Sequence, residues 1–381
     1  MTLRFRTVVL PAVTALLLAV PVSPADAQSR RRLAYTDPKT ADADFVYQGE
    51  FLGVVVEEGR GMQIGLQVVA QGDASYIAVE YAGGLPGTGW DRRNRYKLKG
   101  RIRDGVIELN GPRHSFRVVP ESAEVLMADG RVIGKLEKVE RTSSTLGRKP
   151  PKDAVVLFGG TDAGHFTRPR ITPDGLLMEG TQTVKSFKDF TLHIEFKLPY
   201  MPHARGQGRS NSGVYLQSRY EVQILDSFGL AGKHNECGGL YRQRPPALNM
   251  CLPPLLWQTY DIPFTAPTFA ADGKKTQHAR ITVRHNGVLV HDNVELKNKT
   301  GAGRPEGPKA LPTKLQNHGN PVRFRNIWLV EHRDTKPPPA PSESAGPKTT
   351  AAPPIGGAAP SSSGPCVPQY RYRACIPQCR R

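Results

Sequence analysis

The chain has 381 residues, 38% of them hydrophobic, and a formal net charge of +18 at pH 7. This length has room for two domains plus tails, and a charge this positive favours anionic partners such as surface polymers. No recognisable nucleic-acid-binding motif accompanies the charge, so nucleic acid is not the expected partner. Beyond the N-terminal leader, no segment has the apolar length needed to cross a bilayer.

Residues 1–27 have the order typical of a secretory signal peptide: two arginines, an apolar run over 8–22, and small residues before the expected cleavage after Ala27. An uncleaved membrane anchor is the alternative, but the run is short and interrupted by two prolines. We therefore expect an exported protein, periplasmic or secreted, in which 28–41 form a basic lead-in.

Residues 42–140 alternate between strand-like segments and turns, without a helical pattern, and predict a small all-β domain. We find no catalytic constellation in it, and Glu80, Asp91 and His114 are interpreted as surface groups. The predicted strands cover 63–70, 75–81, 96–102, 106–109, 115–119 and 132–139.

Basic residues alternate with other types over 92–103, so one face of that strand is expected to be strongly basic. A solvated basic face is the favoured interpretation, and binding to an anionic partner is the alternative.

Residues 141–153 have the composition of a linker, and 154–333 predict a second domain of short strands separated by turns, typical of a β-sandwich. Asn286 and Gly287 fall between two apolar-alternating runs and predict a hairpin turn. The predicted strands cover 176–179, 190–198, 213–217, 221–225, 259–264, 278–285, 288–291 and 322–330.

Within this domain, 211–226 read as two strands with strict alternation, which places successive side chains on opposite faces of a sheet. One face is apolar, formed by Val214, Leu216, Val222 and Ile224. The other carries Tyr215, Gln217, Glu221 and Gln223. This polar face is either the solvated side of the sheet or a ligand surface.

Five sequence blocks occur in a characteristic order: Asn211-Ser-Gly-Val-Tyr, Tyr220-Glu-Val-Gln-Ile-Leu-Asp, Trp257-Gln-Thr-Tyr-Asp, Leu315-Gln-Asn-His-Gly-Asn-Pro and Phe324-Arg-Asn-Ile-Trp. Together they resemble the 3-keto-disaccharide hydrolase family over roughly 152–333. The resemblance implies a jelly-roll sandwich of the concanavalin-A-like type that acts on sugars whose C3 hydroxyl is oxidised to a ketone.

An ordinary glycosidase needs two facing carboxylates, and Glu221 and Asp226 point to opposite faces of a regular strand. A 3-keto sugar needs only one base, because the ketone acidifies the C2 hydrogen and the enediolate expels the C1 substituent. Positive charge or hydrogen-bond donors must then stabilise the enolate oxygen.

The resemblance places residues of suitable types in its blocks, and we expect Glu221, His318 and Arg325 to be catalytic. Each has a structural alternative; Arg325, for example, could simply pair with an acidic residue. A divalent metal ion bound by Glu221 and His318 is another source of positive charge. The expected substrate-binding residues are Gln223, Tyr215, Gln217, Glu195 and Trp257. A noncatalytic, lectin-like carbohydrate-binding protein of the cell envelope is the alternative function.

Export permits disulfides, and we expect Cys237 and Cys251 to bridge the ends of the loop that they flank. Three further cysteines near the C-terminus form an odd set, suited to one local bridge or, less well without a nearby histidine, to zinc. Residues 334–365 are rich in Pro, Ala and Ser and are expected to be disordered. The basic tail over 366–381 either contacts an anionic cell-envelope surface or lacks structure.

Overall fold

The computed structural model describes residues 24–332 and 371–374, with side chains over 28–332. The described residues are almost entirely β, which confirms the all-β prediction. They include one α-helix, α1 (Pro24–Arg32), and 3₁₀ turns at Pro38–Thr40, Phe45–Tyr47 and Gly206–Gly208. No helix in these ranges is long and apolar enough to cross a membrane. Most of the predicted signal peptide and of the predicted C-terminal tail lies outside the described residues.

The N-terminal domain is a closed up-and-down barrel. Each strand pairs antiparallel with the next, and β1 also pairs with β8 from Glu50↔Val139 to Val55↔Gly134. The alternation predicted most of these strands but missed β1 and β7. The barrel strands are β1 (Gly49–Glu57), β2 (Arg60–Ala70), β3 (Ser75–Ala82), β4 (Arg95–Arg103), β5 (Val106–Asn110), β6 (Ser115–Val119), β7 (Ser122–Leu126) and β8 (Val132–Thr142).

Apolar side chains on alternate positions fill the barrel interior, among them Phe51, Leu66 and Phe116. Two groups expected at the surface are instead buried: the Glu80 carboxylate lies 2.7 Å from His114 Nδ1, and both side chains are at most 1% exposed. They point inward because each stands two residues from a side chain of the barrel core, Glu80 from Ala78 and His114 from Phe116. This inward direction could not be assigned before the strand pairing was known.

The second domain is a sandwich of two antiparallel sheets. The larger sheet has the order β10-β21-β12-β15-β18-β19 with β9 paired to β21, and the smaller has the order β11-β20-β13-β14. A separate pair, β16 and β17, forms a small hairpin. The strands are β9 (Val155–Phe158), β10 (Leu177–Met178), β11 (Thr181–Gln182), β12 (Phe190–Lys197), β13 (Ser212–Leu216), β14 (Tyr220–Ile224), β15 (Trp257–Thr265), β16 (Thr268–Phe269), β17 (Lys275–Gln277), β18 (Ala279–His285), β19 (Val288–Leu296), β20 (Lys314–Leu315) and β21 (Arg323–Glu331).

The sandwich core lies between the two sheets. Ile194 and Phe196 of the larger sheet and Val214 and Val222 of the smaller sheet belong to one buried apolar cluster. Because side chains alternate along each strand, their neighbours point away from the core. The outer faces of the two sheets therefore look in opposite directions.

The two domains are joined by contacts of buried side chains. Arg209 binds Asp226 through Nε at 2.6 Å and also donates to the Ala70 carbonyl of the barrel at 3.4 Å. Ser143, in the connecting segment, lies 2.6 Å from the Thr259 hydroxyl of the sandwich. The predicted linker is thus packed against the second domain.

The C-terminal segment described by the structure, β22 (Arg371–Ala374), pairs with β8 from Arg371↔Thr142 to Ala374↔Val139. It continues the sheet at the point where the pairing of β8 with β1 ends. The other residues of the predicted basic tail lie outside the described ranges.

The expected Cys237–Cys251 disulfide is not formed in the structure, where both residues are buried free thiols. Cys237 Sγ lies 3.2 Å from the Tyr260 hydroxyl, and Cys251 Sγ lies 3.6 Å from the Leu225 carbonyl. The two thiols are also hydrogen-bonded to each other, so the Cys237–Cys251 disulfide of the exported protein stays a prediction.

Candidate active site

A row of polar side chains crosses the outer face of the smaller sheet. Tyr215 of β13 lies directly opposite Glu221 of β14, and on its other side it pairs with Lys314 of β20. Lys314 Nζ is 5.5 Å from the centre of the Tyr215 ring. The predicted split into an apolar and a polar face thus holds for Val214, Tyr215 and Glu221.

Glu221 is only 2% exposed, and both carboxylate oxygens have donors. The Tyr215 hydroxyl donates to Oε2 at 2.7 Å. In the orientation that satisfies its neighbours, the Gln223 amide nitrogen lies 3.0 Å from Oε1 and 2.9 Å from the Ser212 carbonyl. Burial raises the pKa of Glu221 to about 7, although the Tyr215 hydrogen bond and the Lys314 charge act to lower it. A carboxyl group with this pKa can both take up and release a proton near neutrality.

Gly213 makes room for this carboxylate. It sits opposite Gln223 in the hairpin, and a Cβ at Gly213 would lie 2.4 Å from Glu221 Oε1. Any other side chain here would displace the carboxylate. The Asn211-Ser-Gly block therefore has a steric requirement for glycine at its third position, which sequence reasoning did not identify.

The backbone of Glu221 is fixed from the outer edge of β14. Its N–H donates to Thr300 Oγ1 at 2.7 Å, and its carbonyl accepts from the Tyr241 N–H at 3.2 Å. Gly301 packs beneath Tyr241, and a Cβ there would lie 2.6 Å from the Tyr241 ring and 3.7 Å from Glu221 Oε2. Two loops thus position the carboxylate, and Tyr241 belongs to the margin of the site.

Amide side chains extend the site along β13. Asn211 Nδ2 donates to the Gln207 carbonyl at 2.8 Å, and Gln316 Nε2 lies 3.5 Å from the Tyr215 hydroxyl. The remaining oxygens, Asn211 Oδ1 and Gln316 Oε1, are buried without a hydrogen-bond partner. A buried acceptor without a partner costs free energy, so these two oxygens are suited to accept hydrogen bonds from a ligand.

His318 lies in the loop that follows β20. Its side chain is exposed, and its ring forms no hydrogen bond or ion pair with another described residue. The loop itself reaches the site, because Asn320 Oδ1 accepts a hydrogen bond from the Asn211 N–H at 2.8 Å. The structure therefore brings the histidine loop near β13 without joining the His318 ring to Glu221.

Gln217 does not belong to the polar row. It begins the tight turn between β13 and β14, where Gln217 and Ser218 have positive φ angles of 49° and 52°. Its Nε2 donates to the Phe187 carbonyl at 3.0 Å, and its Oε1 accepts from Arg219 at 2.9 Å. The left-handed backbone ends the alternation one residue earlier than expected. The Gln217 side chain therefore holds the turn in this structure, and its substrate-binding role stays a prediction.

Glu195, Arg325 and Trp257 lie on the outer face of the larger sheet. Arg325 Nε donates to Glu195 Oε2 at 2.7 Å, and its guanidinium carbon is 4.0 Å from the centre of the Trp257 ring. Since the outer faces of the two sheets point in opposite directions, these three residues cannot converge with Glu221. The structure therefore does not bring them together with Glu221, and their catalytic and substrate-binding roles stay predictions.

The donor set around Glu221 does not fit a divalent metal ion. Calcium and magnesium sites need several oxygen ligands, whereas the neighbours of this carboxylate are a tyrosine hydroxyl and an amide that donate to it, with an ammonium group beyond. Across the described residues, no group of three or more His, Cys, Asp and Glu side chains is arranged to hold a metal.

Lys314 is the principal site residue that sequence reasoning missed. A signal was present, since Lys314 and Gln316 alternate with the buried Leu315 and therefore share one face. A strand of only two residues offers too little alternation to be recognised, so the lysine became visible only through its pairing with Tyr215.

Comparison with known proteins gives this geometry a family context. A family model described as the 3-keto-alpha-glucoside-1,2-lyase-like domain matches residues 153–330. The sandwich belongs to that family. The match covers the polar row, both loops that fix Glu221 and the histidine loop, and it supports a carbohydrate-active, hydrolase-like role.

Solved structures of three candidate glycosyl hydrolases from Parabacteroides distasonis are also similar to the chain. One is 35% identical, covers 51% of this chain and 91% of its own, and has a TM-score of 0.46. The second is 18% identical over 48% of this chain and 95% of its own, with a TM-score of 0.36. The third is 21% identical over 47% and 99%, with a TM-score of 0.33. The search of curated proteins found no match.

Proposed function

We propose that the sandwich domain cleaves 3-keto-glycosides by removing the C2 proton, eliminating the C1 substituent and adding water. The observation that carries the proposal is the Glu221 carboxyl group, which is buried on an outer sheet face with a pKa raised to about 7. A solvated structural face would have no reason to bury a carboxylate between a tyrosine and a glutamine. The family match supports the sugar substrate.

In the first step Glu221 Oε takes the C2 proton, and the C2–H electron pair forms a C2=C3 double bond, leaving the C3 oxygen as an enolate. The carbonyl then re-forms, the electron pair shifts to C1=C2, and the bond from C1 to the leaving oxygen breaks. The protonated Glu221 is suited to return its proton to that oxygen. Water adding to C1, with a proton to C2, completes a net hydrolysis.

Lys314 is placed to stabilise the enolate. Its ammonium group shares the outer face with Glu221, on the far side of Tyr215. A positive charge that acts at the developing oxyanion lowers the barrier more than it stabilises the neutral ketone. Lys314 therefore takes the role that the sequence assigned to Arg325, and the Gln316 amide is suited to orient the sugar hydroxyl groups. His318 remains a second candidate proton carrier.

The activity is proposed to lie outside the cytoplasm, in the periplasm or the medium, on the basis of the leader pattern in residues 1–27. N-terminal sequencing of the mature protein should begin at Gln28. A mature protein that retains Met1 in a soluble cytoplasmic fraction would contradict export while leaving the chemistry untouched.

The chemistry is tested by incubating the protein with 3-keto-glucosides in deuterated water, with and without a chelator. We expect cleavage, deuterium at C2 of the product and no effect of the chelator. Glu221→Gln should reduce the rate by about two to four orders of magnitude, whereas the matched variant Glu195→Gln, on the opposite face, should retain it.

Cleavage with full retention of the C2 hydrogen would rule out the elimination. Binding of a glycan without cleavage of any keto-sugar would favour the lectin-like alternative.

A further inference from the structure

The outer face of β4 in the barrel carries a line of cations. Leu98 of this strand points into the barrel core, so the side chains at alternate positions point outward. Four of these outward positions hold exposed basic residues: Lys97, Lys99, Arg101 and Arg103. At about 3.4 Å per residue, the line is about 20 Å long.

Elsewhere on the barrel surface, opposite charges alternate across neighbouring strands. Arg101 faces Glu108, Glu108 faces Arg117, and Arg117 faces Glu124, which in turn faces Lys135. Cross-strand neighbours of opposite sign stabilise a sheet modestly. This row places acidic residues beside the cations, and within it Arg117 and Glu124 form an ion pair at 3.7 Å.

Lys97, Lys99 and Arg103 stand outside that arrangement. Their cross-strand neighbours are Val79, Ile77, Asn110 and Val106, none of them acidic. Within the described residues, no carboxylate lies within ion-pair distance of the three cations. Three exposed like charges on one strand repel one another, and the repulsion is relieved when an anionic partner binds.

The surroundings of the line indicate the class of partner. None of the direct cross-strand partners of the three cations is aromatic, whereas proteins that bind single-stranded nucleic acids place aromatic side chains under successive bases. None of the exposed large hydrophobic residues lies on β3, β4 or β5, so the face also lacks the apolar residues that anchor a protein in a membrane surface. The face is thus a straight line of exposed cations, flanked by the partly buried Ile77 and Val106.

We propose that the outer face of β4 binds a linear anionic polysaccharide, with Lys97, Lys99 and Arg103 contacting successive acidic groups. This site is distinct from the Glu221 row, and it does not require that the sandwich cleave any sugar. It gives the barrel a function of its own, which is to hold the protein on an acidic glycan.

The test measures binding of the full chain to polygalacturonate, with neutral dextran as the uncharged comparison. The triple variant Lys97→Gln, Lys99→Gln and Arg103→Gln should bind about tenfold or more weakly at low salt. It should also lower the slope of log affinity against log salt concentration by about two to three. The variant neutralises fewer acidic groups of the polysaccharide, so fewer counterions are released on binding.

The matched control is the triple variant Arg117→Gln, Arg131→Gln and Lys135→Gln. It removes the same charge from the barrel, but each of its cations has a carboxylate partner, at 3.7, 3.7 and 3.0 Å respectively. We expect its affinity to stay within about twofold of the parent.

If the two triple variants lost affinity for polygalacturonate equally, binding would depend only on net charge, and the proposed site on β4 would be wrong. Tighter binding to duplex DNA or to phosphatidylglycerol vesicles than to polygalacturonate, lost selectively in the first triple, would replace the polysaccharide with that partner. Because binding is the readout, failure here leaves the keto-sugar chemistry unaffected.

Discussion

At the scale of single residues, the candidate site depends on how one carboxylate is kept in place. Tyr215 and Gln223 donate to its two oxygens, and Thr300 holds its backbone. Gly213 leaves the space that the carboxylate occupies. Burial raises the pKa of Glu221 to about 7, so ionisation of this group should control activity near neutral pH.

The first prediction concerns pH. Since the ionised form of Glu221 is the base, kcat/KM should rise with pH through a limb near the pKa of about 7. Lys314→Gln removes a charge that lowers the pKa of Glu221, so the limb should move to higher pH while kcat falls through the loss of enolate stabilisation. A pH–rate profile of both proteins checks this, and an unmoved limb would remove Lys314 from the site.

The second prediction concerns Gly213→Ala. The added Cβ would lie 2.4 Å from Glu221 Oε1, so the carboxylate must shift, and misplacing a catalytic group by about 1 Å costs on the order of 10² in rate. Gly159→Ala is the control, because its Cβ would only make an ordinary contact with Val156 at 3.5 Å. Equal kcat values for the two variants would mean that the position of Glu221 is not critical.

At the scale of elements, the outer face of the larger sheet serves to hold the connecting segment between the domains. The Gly147 N–H donates to Glu195 Oε1 at 2.6 Å, and Thr145 Oγ1 donates to Asp261 Oδ2 at 2.8 Å. His193 Nδ1 lies 2.8 Å from Asp261 Oδ1. These charges fix the segment after β8 on the sandwich, which explains why Glu195 is buried far from the Glu221 row.

In this network, the pKa of Glu195 is lowered and the pKa of His193 is raised. Burial alone would raise the pKa of Glu195, but hydrogen bonds from His193, Asn326, Arg325 and Gly147 outweigh it and lower the pKa from 4.5 to about 2. Burial alone would lower the pKa of His193, but Asp261 and Glu195 outweigh it and raise the value. The Glu195 contribution to stability is therefore complete above pH 4.5 and lost towards pH 2. The His193 contribution is complete below pH 6.5 and lost as pH rises through its folded-state pKa.

The third prediction follows for Glu195→Gln. We expect it to reduce the free energy of unfolding by about 1–3 kcal/mol at pH 6, with kcat unchanged, because Glu195 lies on the opposite face from Glu221. The difference from the parent protein should shrink between about pH 4.5 and pH 2, because the parent then loses the same ionised carboxylate. Thermal unfolding across this range checks it, and a loss of activity without a loss of stability would support the predicted substrate-binding role of Glu195.

At the scale of the whole molecule, barrel and sandwich are joined through buried charge. Arg209 and Asp226 have side chains only 6% and 1% exposed, and the arginine also reaches the Ala70 carbonyl of β2. Removing one partner of a buried pair leaves the other charge uncompensated. The pair therefore links the unfolding of the two domains.

The fourth prediction is that Arg209→Gln lowers the free energy of unfolding by about 3–5 kcal/mol and splits a single thermal transition into two. Lys185→Gln is the control, because the side chain of Lys185 is 58% exposed in its 3.3 Å ion pair with Glu331. That control should change stability by less than about 1 kcal/mol. One unchanged transition in both variants would mean that the domains do not depend on this contact.

The sequence by itself determined which side chains share a face of a strand. Tyr215, Glu221 and Gln223 alternate with buried Val214 and Val222, and the structure keeps them together because alternation is a property of the extended backbone. The all-β class followed from the same periodicity, and the ordered blocks led to the family.

Only the tertiary structure decided which strands share a sheet and which sheet faces which way. Glu195 and Arg325 satisfy the same alternation as Glu221, yet they lie on the opposite side of the sandwich because β12 and β21 belong to the other sheet. Lys314 joined the site through strand pairing across about a hundred residues of chain. Periodicity is local, whereas pairing depends on the long-range packing of the two sheets around one core.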